Sequence, residues 1–422
     1  MEYRTRVVDA QLDVLFRDLP AISIEGAKGV GKTATAAQRA NDVVEFELDG
    51  PASIFRADPG LVLLSEMPVL LDEWQLVPSV WNVVRREVDR DRTPGRFLLT
   101  GSASAPSGAR IHSGAGRIVS LLMRPMTLPE RGVCDPTISF AGLLNGDAKI
   151  EGRCNLELVD YTREILSSGF PGIRDYPEQA RRAQLDGYLA RIVNHEIPEA
   201  GISVRKPRSL MAWLTAYAAA TATTASYSSI LDAATPGESD KPSRTATTAY
   251  REALQRLWIL DPLPAWIPTF NDLGRLAESP KHHLVDPALA ARLLGASERS
   301  LLRGDQSPTA QAGKTRLGSL FESLVALTIR VFAQGAGATV GHLRTRDGNH
   351  EIDLIVELDD KSIVAIEVKL GQTASIEEAT HHKWLKDKIG DRLVDTVIIN
   401  TGSAAYRLPN GTAVIPLGLL GP

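Results

Sequence analysis

At 422 residues, 43% hydrophobic and 23% charged, the chain has room for about two to four domains and is neither disordered nor fibrous in composition. Its 47 lysines and arginines stand against 51 acidic residues, a net charge of −4, so contact with nucleic acid has to use a local patch and not bulk positive charge. Aromatics make up 5%, which argues against an extended base-stacking platform.

Cys134 and Cys154 form no metal-ligand pattern and are too few for a disulfide scaffold, so a reducing compartment is expected. No run of about 18 uncharged apolar residues exists, so no membrane span is expected. The charged start Met1–Asp13 reads as neither a signal nor a transit peptide. The expectation is a soluble, cytoplasmic protein with no membrane partner.

The first part alternates short apolar runs with helical patterns, as an α/β unit with a parallel sheet does. Ala21–Glu25 reads as a buried strand, followed by a glycine-rich turn and a helix over Lys32–Ala40. Further strands are predicted at Val43–Leu48, Pro68–Leu71 and Phe97–Thr100. Helical periodicity runs from Leu156 to Pro198. Ala-rich helices follow from Ser209, interrupted by a Pro/Gly/Ser loop at Thr235–Ser243, and Trp258–Ile267 is β-like. A polar linker at Arg303–Gly313 leads to a helix over Leu317–Ala333 and strands at Glu351–Leu358, Ser362–Leu370 and Val394–Asn400. The units predicted are 1–135 (a parallel-sheet α/β core), 136–204 (helical), 205–302 (helices with a β-like tail) and 303–422 (a C-terminal α/β unit).

Gly26-Ala27-Lys28-Gly29-Val30-Gly31-Lys32-Thr33 satisfies G-x-x-x-x-G-K-[ST] between a strand and a helix. Glycines let successive backbone N–H groups turn toward phosphate oxygens. Lys32 is placed to reach the β- and γ-phosphates and Thr33 to ligate Mg²⁺. The helix start, through Ala34, adds its partial positive charge. Nucleotide and Mg²⁺ are therefore the expected cofactors. The apolar run Val69-Leu70-Leu71 ends in Asp72 and Glu73. Asp72 is placed to hold the metal and Glu73 to polarise the attacking water. Phe97-Leu98-Leu99-Thr100-Gly101-Ser102 is a further strand with hydroxyls at its end, so Thr100 or Ser102 is a candidate γ-phosphate sensor.

These segments, together with Asp72-Glu73-Trp74-Gln75, Gly116-Arg117 and Gly169-Phe170-Pro171, resemble the bacterial and archaeal AAA+ ATPases of the DExx type, whose C-terminal half is a domain of unknown function. The resemblance implies ATP hydrolysis and a role for Arg117, within its own subunit or as a finger into a neighbour's site. It also implies a homo-oligomer, because sites of this class usually lie between subunits.

In the middle, Tyr227–Asp232, a loop, Ser243–Trp258 and a β-like tail have the order of a winged helix-turn-helix, which the same family is thought to carry. Arg205, Lys206, Arg208, Lys241, Arg244, Arg251 and Arg256 are then candidate phosphate contacts. A plain helical packing module with solvated basic residues fits the pattern as well.

In Ser362–Leu370, alternation puts Val364, Ile366 and Val368 on one face and Ile363, Ala365, Glu367 and Lys369 on the other. Asp353 lies on the preceding strand and Glu322 on an apolar helix. Asp353…Glu367-Val368-Lys369 resembles the PD-(D/E)xK nucleases, with Ile352 where a proline often stands. The resemblance implies a restriction-endonuclease-like fold, Mg²⁺ at Glu322, Asp353 and Glu367, and Lys369 stabilising charge or positioning water. The alternative is a structural ion pair, Glu367–Lys369 or Glu322–Lys369. Two functions follow as expectations: a motor acting on branched or damaged DNA, or a nucleotide-dependent switch that organises protein assembly around a non-cleaving nuclease fold.

Overall fold

The computed structural model describes residues 2–101, 114–199, 201–202, 204, 206–234, 244–268, 279–304 and 315–422. Ser102, Arg205, Lys241, the loop 235–243 and most of the predicted linker, 305–313, lie outside the described residues.

Five short runs form the first sheet: β1 (Ala21–Glu25), β2 (Asp42–Glu45), β3 (Val69–Asp72), β4 (Phe97–Gly101) and β5 (Val119–Leu122). Their order is β2-β3-β4-β1-β5, and every pairing is parallel. A parallel sheet carries helices on both faces, so its central strands are apolar throughout. Accordingly Ile22, Ile24, Leu70 and Leu98 join one buried cluster, while Ala21, Val69, Leu71, Phe97 and Leu99 join another. This is the period-two alternation of a strand. β4 lies between β1 and β3 and sets Thr100 level with both Ile24 and Asp72.

The expected strands sit within a residue or two of their places, except that β2 stops at Glu45. The helix after the phosphate loop ends at Ala37, not Ala40. β5 is an unpredicted strand: at the sheet edge, with Val119 and Ser120 exposed, it has too little apolar periodicity to read.

Next along the chain, β6 (Ile138–Ser139) pairs with the last strand of the protein. Cys154 N–H donates to the Ser403 carbonyl (2.9 Å) and Tyr161 Oη accepts from Gly418 N–H (3.0 Å). The stretch 138–161 is thus laid against the C-terminal body, although its sequence reads as the start of the helical region. Helices Leu158–Ser167, Glu178–Arg191, Pro207–Ala219, Tyr227–Ala234 and Arg244–Arg256 follow. A ribbon then pairs Leu260 with Leu284 and Leu263 with Lys281 in antiparallel fashion, giving the β-like tail at Trp258–Ile267 its partner.

The C-terminal sheet contains β7 (Thr339–Arg344), β8 (Glu351–Glu357), β9 (Ile363–Val368), β10 (Leu393–Asn400), β11 (Tyr406–Arg407) and β12 (Ala413–Pro416), in the order β11-β12-β10-β9-β8-β7. The last strand, β13 (Leu420–Gly421), is the partner of β6. β7, β8 and β9 are antiparallel, whereas β9, β10 and β12 run parallel. Val364, Ile366 and Val368 face the core shared with helix Arg316–Gly335; Ile363 and Ala365 face Leu385 and Ile389 of helix Thr380–Ile389. By length and composition alone Arg316–Gly335 could span a bilayer, but 78% of its most apolar window is buried within the fold, as in a core helix.

Candidate functional site

β1 leads into the phosphate loop and helix Lys32–Ala37 leaves it. Gly26 has a φ of +149° and Gly31 a φ of +109°, conformations that residues with a Cβ rarely adopt. A Cβ on Gly26 would also lie 2.3 Å from the Met123 carbonyl oxygen, just past β5. Ala27 and Val30 are buried, while Gly29 and Ala34 are exposed. Lys32 is buried and its Nζ donates to the carbonyls of Gly26 (2.9 Å) and Ala27 (3.1 Å). Burial lowers its pKa to about 8, although Glu73 and Asp72 pull it upward.

Thr33 Oγ1 donates to Asp72 Oδ1 at 2.8 Å. Two neighbouring oxygens around an octahedral Mg²⁺, each ~2.0–2.1 Å from the ion, are about 2.9 Å apart. Thr33 and Asp72 thus have the spacing to share that ion, and when bound it would draw charge from the phosphate oxygens. Thr100 Oγ1 also donates to Asp72 Oδ1, which puts Thr100 beside the proposed metal position. Glu73 has a left-handed backbone (φ +53°) and accepts from Gln75 Nε2, so the fourth residue of the Asp-Glu-Trp-Gln run holds the second.

Arg117 lies two residues before Val119, which is level with Ile22 at the start of β1. It is therefore at the opposite end of the strands from the phosphate loop, where its Nε donates to Asp89 (2.8 Å). It does not reach the loop of its own subunit.

Residues remote in sequence brace the loop. Arg6 donates to the carbonyls of Val30 (3.0 Å) and Arg124 (2.6 Å), and Tyr188 Oη to the carbonyl of Lys28 (3.0 Å). A cavity of about 530 Å³ opens beside Lys28 and Gly29, walled by Phe170, Ile173, Tyr188, Arg191 and Ile192. It has the size of a nucleoside pocket. Gly169-Phe170-Pro171 lies here: Pro171 approaches Gly31, and the Phe170 ring packs at a tilt against Tyr188 with centroids 5.2 Å apart.

The second set of predicted residues also converges, but around a lysine. Lys281, from the ribbon, is fully buried, and its Nζ lies 2.8 Å from Glu322, 2.9 Å from Asp353 and 3.3 Å from Glu351. Burial alone would lower its pKa, but Asp353, Glu322 and Glu351 outweigh this and hold it well above the usual value. Asp353 Oδ2 accepts from Val368 N–H (2.9 Å). Glu367 pairs with Lys369 at 3.3 Å, so of the two ion pairs expected this one forms, while Glu322 pairs with Lys281. Glu367 Oε1 is buried without a hydrogen-bond partner. Burial, and then Asp353, push the Glu367 pKa far above the carboxylate range. Lys281, Arg6, Arg124 and Tyr188 escaped the sequence reading, since none belongs to a local motif.

Residues 18–131 match the AAA domain family, residues 158–300 a domain of unknown function (DUF8612), and residues 317–420 another (DUF4143). The first unit is therefore a P-loop, AAA-type ATPase domain. The chain is 26% identical over 405 residues to uncharacterized proteins of Mycobacterium tuberculosis and Mycobacterium bovis, an alignment covering 94% of this chain and 80% of theirs. Among solved structures, the Walker-type ATPase of Pyrococcus abyssi is similar at 17% identity, with a TM-score of 0.40, over 69% of this chain and 96% of that one.

Proposed function

We propose that the chain is an ATP-driven AAA+ switch, in which binding and hydrolysis of ATP at the phosphate loop set the posture of the middle and C-terminal units and thereby the assembly of the protein, self-association included. Lys32 neutralises the β- and γ-phosphates, Thr33 and Asp72 hold Mg²⁺, Glu73 polarises the water and Thr100 senses the γ-phosphate. Phe170 and Tyr188 wall the nucleoside pocket.

One observation carries the switch reading. Arg124, whose carbonyl is bound by Arg6, donates to Asp261 (2.7 Å), and Asp261 also pairs with Arg330 of the C-terminal core helix (2.7 Å). The chain of contacts from Val30 through Arg6 and Arg124 thus ends on both other units. Contiguity alone is not coupling, so the test is hydrogen exchange of the full chain with and without a slowly hydrolysed ATP analogue. Altered protection around 259–265 and 320–334 is expected, lost in Asp261→Asn. Unchanged protection there would dismiss the switch.

A second reading, a motor on DNA, draws on the order of helices Pro207–Ala219, Tyr227–Ala234 and Arg244–Arg256 and the ribbon, with Lys206, Arg208 and Arg256 exposed. ATP turnover measured with duplex, single-stranded and four-way-junction DNA separates the two. Stimulation favours the motor; turnover blind to DNA, with ATP-promoted self-association, favours the switch.

A further inference from the structure

The nuclease-like spacing in the C-terminal unit implies a divalent cation at Glu322, Asp353 and Glu367, but Glu367 is paired through Oε2 with Lys369 (3.3 Å) and the remaining two carboxylates converge on a lysine. Mg²⁺ needs oxygens at ~2.0–2.1 Å in octahedral array. Here the point common to Glu322, Glu351 and Asp353 is occupied by Lys281 Nζ at 2.8–3.3 Å, the separations of charge-assisted hydrogen bonds. The other Asp353 oxygen is committed to Val368 N–H. Lys281 cannot step aside as a side chain on a loose loop would. Its N–H and C=O both bond to Leu263 across the ribbon (2.9 and 2.8 Å), and its side chain is wholly enclosed. Among the described residues no group of three or more His, Cys, Asp or Glu side chains is arranged to hold a metal ion.

We propose that the Lys281 ammonium is the resident cation of the C-terminal carboxylate cluster, in the place a divalent metal would take, so that this unit binds no Mg²⁺ or Mn²⁺ there and cleaves no phosphodiester. The cluster then serves as a bolt: the middle region's ribbon supplies the cation and the C-terminal helix and β8 supply the carboxylates, locking the two units together. The proposal is independent of whether the chain acts as switch or motor.

The test is Mn²⁺ binding to the nucleotide-free full-length protein, followed by electron paramagnetic resonance, alongside thermal unfolding. Wild type is expected to hold no Mn²⁺ that Asp353→Asn removes, and its Tm should not respond to the metal. Lys281→Met, stripped of the cation, is expected either to gain one Mn²⁺ site, abolished by adding Asp353→Asn and accompanied by a Tm raised by several degrees, or to lose the fold. In the second case Lys281→Met/Glu322→Gln/Asp353→Asn, which removes charge of both signs, should recover cooperative unfolding. Three results would overturn the proposal: an Asp353-dependent Mn²⁺ site in wild type, a Lys281→Met protein that is as stable as wild type and blind to Mn²⁺, or a triple variant that stays unfolded where the single variant is unfolded.

Discussion

The two sheets each gather carboxylates and lysine at one end, and they settle the charge differently. At the ends of β3 and β4, Asp72 accepts from two neutral hydroxyls, those of Thr33 and Thr100, while Lys32 is spent on loop carbonyls. Neutral partners hold these groups in place without cancelling them, and that leaves the negative strand end to a cation and the lysine to phosphate. In the C-terminal sheet the carboxylates meet full cations, Lys281 and Lys369. On the readings proposed above, the first arrangement is completed by a ligand and the second by the protein itself. Residue types and spacing were alike enough to suggest metal in both; what differs is where the counter-charge comes from.

The largest expected effect falls on the open site. Glu73→Gln keeps the shape of the side chain and its neighbour Gln75 but cannot polarise water. General-base catalysis contributes about 10²–10⁴-fold, so steady-state kcat should fall by that factor with ATP binding retained. Lys32→Ala should instead lose tight binding. Undiminished turnover in Glu73→Gln would mean that another group prepares the water.

The closed site should answer in stability, not turnover. Removing one partner of a buried ion pair strands the others and costs about 3–5 kcal/mol, so Lys281→Met should lower the denaturant midpoint sharply. Lys32→Ala, whose partners are loop carbonyls, should leave it nearly unchanged. Equal losses in the two variants would erase the contrast between a site built for a ligand and one built as a bolt.

How much of this could be read beforehand follows from range in sequence. β1, β3 and β4 were legible because burial on both faces makes them continuous apolar runs, and the phosphate loop because its glycines, Lys32 and Thr33 are adjacent. Asp353, Glu367 and Lys369 were legible through strand alternation. Edge strands β5 and β7 were not: half-exposed strands carry weaker patterns. Lys281 was not, because it stands 41 and 72 residues from Glu322 and Asp353 and only tertiary pairing joins them. Arg117 shows the converse: the motif was visible, yet the register of β5 sends it to the far end of the sheet.

Acid should weaken the C-terminal side next. His342 and His382 are buried, and burial, then Lys281 for the first and Lys369 for the second, lowers each pKa from 6.5 to about 4. The unfolded chain takes up these protons below pH 6.5 and the folded one does not until about pH 4. Stability is therefore full above 6.5 and declines through that window, by up to about 3 kcal/mol per histidine. Urea midpoints between pH 7 and 4 should show it, with a shallower slope in His342→Gln. A flat profile would mean that burial, with the cations beside these rings, does not hold them neutral.

The smallest effect sharpens the description of the open site. Tyr188 Oη donates to the Lys28 carbonyl (3.0 Å) and so fixes one wall of the phosphate loop from a helix of the middle region. Tyr188→Phe keeps the ring beside Phe170 and removes only this bond. A hydrogen bond of this kind is worth about 0.5–1.5 kcal/mol net, and the loop can still close on phosphate, so affinity for an ATP analogue should fall about two- to tenfold with kcat nearly unchanged. A hundredfold loss would mean that the hydroxyl touches the nucleotide itself. No change at all would mean that the loop is organised from its own strand and helix, and that the middle region only roofs the cavity.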